Sequence, residues 1–255
     1  MHTEPLLRIE NVGLRFGGLT ALEGVSFDVQ ENKIYGLIGP NGAGKSSLFN
    51  CITRLYDPTT GAIYFKGGAL LAQRANQVAS WGIARTFQDL SLFRGMTVRQ
   101  NIAMGAHHRI RASVGQILLG FRSYKNQENS VGIEMEEIID ALSLHDVQDL
   151  EVNDLPYGTM KRVELARVLL AKPTLLLLDE PASGLTQTEV HALAELIVQM
   201  KERYNLTILL VEHHMGMVMK ICDQIVVLNL GKNIAEGNPQ AIQANPEVAR
   251  AYLGE

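Results

Sequence analysis

Ile34-Tyr35-Gly36-Leu37-Ile38, then Gly39-Pro40-Asn41-Gly42-Ala43-Gly44-Lys45-Ser46-Ser47, then Leu48-Phe49-Asn50-Cys51-Ile52 is the stretch that decides the fold. The first five residues read as a buried strand, and Leu48, Phe49 and Ile52 carry the apolar spacing of a helix. Strand, glycine turn and helix in that order make a phosphate-binding βα unit. The turn fits G-x-x-x-x-G-K-[ST] in the context that pattern requires. Gly39, Gly42 and Gly44, with Asn41 and Ala43 between them, allow main-chain N–H groups to converge on an anion, and the helix N-terminus adds its positive dipole end. Lys45 is placed to reach the β and γ phosphates, Ser46 to ligate Mg2+, and Ser47 follows in the first helical turn.

Working outward, Leu7 and Ile9, then Val25, Phe27 and Val29, then Ile63 and Phe65 alternate at period two, which predicts a small antiparallel sheet. From about Asp89 to Val152 the spacing turns helical, as in Met135, Ile138, Ile139 and Leu142, so a helical insert interrupts the α/β core. Beyond it, helix Thr159 to Leu170, strand Thr174 to Leu178, helix Gln187 to Arg203 and strand Leu206 to Val211 alternate regularly, which predicts parallel pairing through right-handed crossovers. A strand over Ile225 to Leu228 and two short helices complete the chain. Leu175 to Leu178 is continuously apolar and ends in Asp179-Glu180, as expected of a strand buried on both faces that opens onto a ligand crevice. Asp179 is placed to hold Mg2+, and Glu180 to accept a proton from, or orient, an attacking water.

The composition excludes several classes. Twenty-three Lys and Arg against 27 Asp and Glu leave a net charge of −4, so no polybasic footprint points to nucleic acid or anionic lipid. Cys51 and Cys222 are the only cysteines, which rules out a disulfide scaffold and suits a reducing cytoplasm. No apolar run approaches the ~20 residues needed to cross a bilayer, and Glu4, Pro5 and Arg8 interrupt any secretory core.

With both motifs in place, the whole chain resembles the nucleotide-binding subunit of an ABC transporter. The resemblance implies an α/β fold with a P-loop NTPase core, a parallel sheet, an N-terminal antiparallel β subdomain and a helical insert. It takes 1–255 as one ATP-binding domain, with 1–88 and 166–255 as the core and 89–165 as the helical subdomain. By the same resemblance, Phe16, 23 residues before Gly39, stacks on adenine. Gln88 touches the Mg2+ site and communicates with the membrane partner, and His213 contacts the γ-phosphate. A metal site from His213 and His214 is the competing reading of that pair, but neighbours in an extended segment point to opposite faces. ATP and Mg2+ are the implied ligands. The implied partners are a second ATP-binding subunit, a different chain or a copy, two integral-membrane permeases and, indirectly, a solute-binding protein. The expected location is the cytoplasmic face of the cell membrane. Gly82 to Gln88, Val211 to Met215 and Ala251 to Glu255 are most similar to the ATP-binding subunits of branched-chain amino acid importers.

Two motifs depart from the family. Leu155-Pro156-Tyr157-Gly158-Thr159 stands where LSGGQ is usual, and Pro156 brings neither a hydroxyl nor an N–H to a helix start that grips the partner's nucleotide. Thr186 stands where Asp or Asn is usual. Both departures suggest two unequal ATP sites and a different second subunit. Two alternatives stay open: a weakly active subunit that gates a more active partner, and a soluble ABC-type ATPase unconnected with transport. Elsewhere, Met215, Met217 and Met219 read as packing. His107 to Lys125 reads either as a solvated basic face or as a contact with membrane subunit or lipid, and Glu134, Glu136 and Glu137 as the wet side of a helix.

Overall fold

The structure is a computed structural model describing residues 4–87, 90–109 and 122–253. In chain order its principal elements are β1 (Leu7–Phe16), β2 (Leu19–Val29), β3 (Ile34–Ile38), α1 (Lys45–Ile52), β4 (Thr60–Phe65), β5 (Gly68–Ala69), α2 (Val78–Trp81) and β6 (Ile83–Arg85). There follow α3 (Val98–Ala103), α4 (Arg122–Ala141), α5 (Tyr157–Leu170), β7 (Leu175–Asp179), α6 (Gln187–Tyr204), β8 (Thr207–Val211), α7 (Met215–Ile221), β9 (Gln224–Asn229), β10 (Lys232–Gly237), α8 (Pro239–Gln243) and α9 (Pro246–Leu253). The chain divides into two compact units: residues up to Arg85 together with those from Thr174 onward, and residues 86–173.

In the first unit, β2-β1-β4-β5 form an antiparallel sheet and β10-β9-β3-β8-β7-β6 a second sheet. The centre of the second sheet is parallel, with Leu37 beside Val211 and Leu177 beside Leu209. Every residue of β3, β7 and β8 is buried, which is why these strands read as unbroken apolar runs. Leu48, Phe49, Cys51 and Ile52 of α1 share one core with residues of both sheets, including Leu7, Ile9, Leu37, Leu177 and Val211. Because the parallel strands run the same way, Gly39, Glu180 and Glu212 all emerge from one sheet edge, where ligands of such sheets bind. Three strands escaped the sequence reading, the two-residue β5 among them. β6 has only three residues, too few to display a period, and the half-exposed β10 carries Lys232, Asn233 and Glu236.

In the second unit, Val98 and Ile102 of α3, Met135, Ile138 and Ile139 of α4 and Val163, Leu165 and Ala166 of α5 are buried. The fully buried Asn101 amide donates to the Phe93 and Thr97 carbonyls, each at 3.1 Å, and accepts from Phe93 N–H at 2.7 Å, fixing the turn before α3. The unit ends at Pro173 rather than at 165, because α5 is one uninterrupted helix whose far end, Val168 to Leu170, is also buried. Glu134 corrects the expectation of a wet face. Its carboxylate lies 2.7 Å from Arg109 and 2.6 Å from Lys172, and although burial pushes its pKa up, these two cations hold it below the usual range. Arg109 also donates to the Leu170 carbonyl at 2.8 Å, so it is an internal tie and not part of a solvated or lipid-facing stripe. Residues 110–121 of that stripe lie outside the described residues.

Candidate functional site

The turn between β3 and α1 is held open by glycine. Gly39 has φ 150° and Gly44 φ 101°; a Cβ on the first would lie 2.1 Å from the Leu228 carbonyl oxygen, and on the second 2.6 Å from that of Ala21. Neighbouring backbone braces the turn through Gly231 N–H to Ala43 O at 3.0 Å. Gly44 begins α1 with no side-chain cap and no acid in the first turn, so the helix N-terminus faces the cavity with its positive dipole end. The Lys45 ammonium donates to the carbonyls of Gly39 at 2.7 Å and Pro40 at 3.0 Å. Burial pushes its pKa below the usual lysine value, against the opposing pull of Glu180 and Asp179. The cavity over this turn, about 340 Å³, is lined by Phe16, Asn41, Gly42, Ala43, Gly44, Lys45, Ser46, Ser47 and Glu180, with Leu19, Thr20 and Ala21. Phe16 is 46% exposed at its rim, with its ring edge-on to Tyr56 at 5.1 Å, so it is an available aromatic surface and not core packing.

The two acids differ. Asp179 is buried, and its Oδ2 accepts from Arg85 Nη2 at 2.6 Å. Glu180 adopts φ 46°, a left-handed conformation that costs a non-glycine residue about 1–2 kcal/mol. Its own N–H pays for part of that by bonding Val211 O at 2.8 Å. Its carboxylate stands 3.8 Å from His213 Nδ1. Glu212, which the sequence reading passed over, holds these segments together. Its buried carboxylate accepts from Ala182 N–H at 2.8 Å, His213 N–H at 2.9 Å and His214 N–H at 3.1 Å. A buried acid just after an apolar strand was the signal that could have revealed it. The expectation for His213 and His214 is corrected here: their rings lie 4.8 Å apart at 32°, on one side of the chain, because His214 is the turn residue that starts α7. With Glu212 they form a compact Glu-His-His group. Three main-chain donors already occupy that carboxylate, so it works as a loop staple. Metal-type donors of the hard-oxygen kind among the described residues are instead the Ser46 hydroxyl and the Asp179 carboxylate, donors that suit Mg2+.

Two further residues were not legible as site neighbours. Arg85 contacts Asp179 across 94 positions, and the Tyr252 hydroxyl on α9 shares a hydrogen bond with the Gly39 main chain. Burial moves that phenol's pKa up. In the second unit, Pro156 is the N-cap of α5, and Tyr157 and Gly158 form its first turn, two residues earlier than the spacing predicts. The Pro156 carbonyl accepts from Thr159 N–H at 2.9 Å and Met160 N–H at 3.0 Å, with no side-chain cap. Thr186 is engaged locally: its hydroxyl donates to the Glu189 carboxylate at 2.7 Å in a capping box that starts α6. Gln88 lies outside the described residues. No described helix is long and apolar enough to cross a membrane.

Comparison with known proteins agrees with this geometry. Residues 22–183 match the ABC transporter family, and residues 232–255 match the branched-chain amino acid ATP-binding cassette transporter family. The high-affinity branched-chain amino acid transport ATP-binding protein LivG of Salmonella typhimurium is 40% identical over 253 residues, covering 99% of each chain. BraF of Pseudomonas aeruginosa, of the same description, is 37% identical over the same span. Among solved structures, a nucleotide-free ATP-binding cassette from an ABC transporter superposes with a TM-score of 0.85 at 29% identity, covering 99% of this chain and 100% of that one. The ADP conformation of MJ1267, an ATP-binding cassette of an ABC transporter, gives 0.85 at 30% identity with the same coverage. The chain belongs to the ABC transporter family, as one of its ATP-binding, ATP-hydrolysing subunits.

Proposed function

We propose that this chain powers the import of branched-chain amino acids or related small solutes through Mg2+-dependent ATP hydrolysis. The observation that carries the reading is the arrangement at one sheet edge: an anion-binding turn with Lys45, a strained Glu180 at the cavity wall, and His213 within 3.8 Å of that acid. The solute follows from the C-terminal match and the full-length relatives. Phe16 stacks on the base. The main chain of 39–47 and Lys45 hold the phosphates. Glu180 orients the attacking water and accepts its proton, His213 contacts the γ-phosphate, and Gln88 links the metal site to the membrane partner. Ser46, Asp179 and Gln88 would hold Mg2+, which when bound neutralises charge developing on the phosphoryl oxygens. Pro156, Tyr157 and Gly158 present the N-terminus of α5 to the nucleotide of a second ATP-binding subunit. The assembly works at the cytoplasmic face of the membrane with two permeases and a solute-binding protein.

The test is steady-state phosphate release from the chain assembled with its membrane partners. Glu180→Gln is expected to lower turnover by about 10²- to 10⁴-fold while preserving ATP binding. One observation favours a second reading, a gating subunit: Pro156 caps α5 with its carbonyl alone. A wild-type rate no higher than that of Glu180→Gln would select it.

A further inference from the structure

We propose that Arg85 is a positioning residue for the magnesium site, fixing the distance between the helix that carries Ser46 and the strand that carries Asp179. This rests on the reading that Ser46 and Asp179 hold the ion. Arg85 is the last residue of β6, paired in parallel register with Leu177, so Asp179 lies two residues further along the same face of the neighbouring strand. Both side chains of the ion pair are almost fully buried, 7% and 6% exposed. One arm of the guanidinium, Nη2, meets Asp179 Oδ2 at 2.6 Å. The other, Nη1, meets Asn50 Oδ1 at 2.7 Å and Thr53 Oγ1 at 3.3 Å, and the plane lies 5.3 Å from the Phe49 ring.

Asn50 belongs to α1 and Thr53 caps its C-terminus, and Asn50 is one helical turn after Ser46 on the same face. A single rigid fork therefore spans from the helix of one proposed metal ligand to the carboxylate of the other. Magnesium demands near-ideal octahedral geometry at about 2.0–2.1 Å, so small errors in ligand spacing cost affinity. Arginine can hold two acceptors at a set separation, whereas lysine offers a point charge that satisfies one partner at a time. Arg85 is also the residue at which the chain leaves the first unit for the second. A shift of strand β6 along its axis would therefore be felt at Asp179.

The experiment measures affinity of the purified full chain for a fluorescent ATP analogue, in EDTA and across a MgCl2 series. Arg85→Lys is expected to leave the EDTA affinity within about twofold of wild type, while raising the half-saturating Mg2+ concentration by about tenfold, the low end for one lost charge-assisted hydrogen bond. An unchanged Mg2+ requirement, or an EDTA affinity that falls by the same factor, overturns the proposal. Asn50→Ala severs only the helix arm and is expected to move the Mg2+ requirement several-fold in the same direction, so it decides the matter if Arg85→Lys does not fold. Asp179→Asn separates the two levels. If it leaves the Mg2+ requirement untouched, the metal-site reading fails; if it shifts that requirement and Arg85→Lys does not, only the role of Arg85 fails.

Discussion

Helices α1 and α6 begin in the same unit and end their N-termini in opposite ways. Each helix start exposes N–H groups without intrahelical partners. At α6, Thr186 and Glu189 satisfy two of them reciprocally, and the Thr186 bonds hold the exposed Glu189 carboxyl below its usual pKa. At α1, left-handed Gly44 supplies no side chain, no acid follows, and Lys45 adds a positive charge beside the cavity. The lesson is that a helix start built for a ligand is recognisable by the cap it lacks. The N-terminus of α5 is of the open kind: Pro156 offers no side-chain cap and no acid stands in the first turn.

Breaking the open start should have the largest effect. Gly44→Val places a β-branched residue at φ 101° against the Ala21 carbonyl and Leu22. ATP affinity is expected to fall about 100-fold or more, with the far-ultraviolet circular dichroism retained. Near-normal binding would show that this geometry is dispensable. Adding a side-chain cap to the second open start comes next. Pro156 has φ −56° and ψ 147°, which a serine N-cap adopts without strain, so Pro156→Ser restores a hydroxyl donor and an N–H. The assembled ATPase is expected to accelerate by about tenfold, and an unchanged rate removes the inference that the two ATP sites are unequal. Opening the closed start has the smallest effect. Thr186→Ala should cost about 1 kcal/mol of stability, a drop of about 2–4 °C in Tm, with ATP affinity unaltered. A weakened affinity would mean that Thr186 acts beyond its own helix.

What the sequence made legible was local. Ile34 to Ile38 and Leu175 to Asp179 announce themselves because buried parallel strands are apolar throughout, and the turn motif needs its glycines in fixed order. Phe16 could be placed at the cavity by the family resemblance, and it lines that cavity. Contacts made by the fold across long separations were not legible. Nothing near Arg85 foretells Asp179, and nothing near Tyr252 foretells Gly39. One omission and one error had local causes. The Thr186-x-x-Glu189 pattern is a readable capping box. The opposed faces expected of His213 and His214 assumed extended backbone, where the chain has already turned into α7.

The central claim is that a triphosphate is held by the main chain of 39–47 together with the Lys45 ammonium. Equilibrium binding of ATP to the full chain, wild type against Lys45→Ala in the presence of Mg2+, tests it most directly. The account predicts tight, Mg2+-dependent binding that Lys45→Ala weakens at least tenfold, the value of one lost charge-assisted bond to phosphate. Equal affinity of the two proteins, or no binding by the wild type, would contradict it.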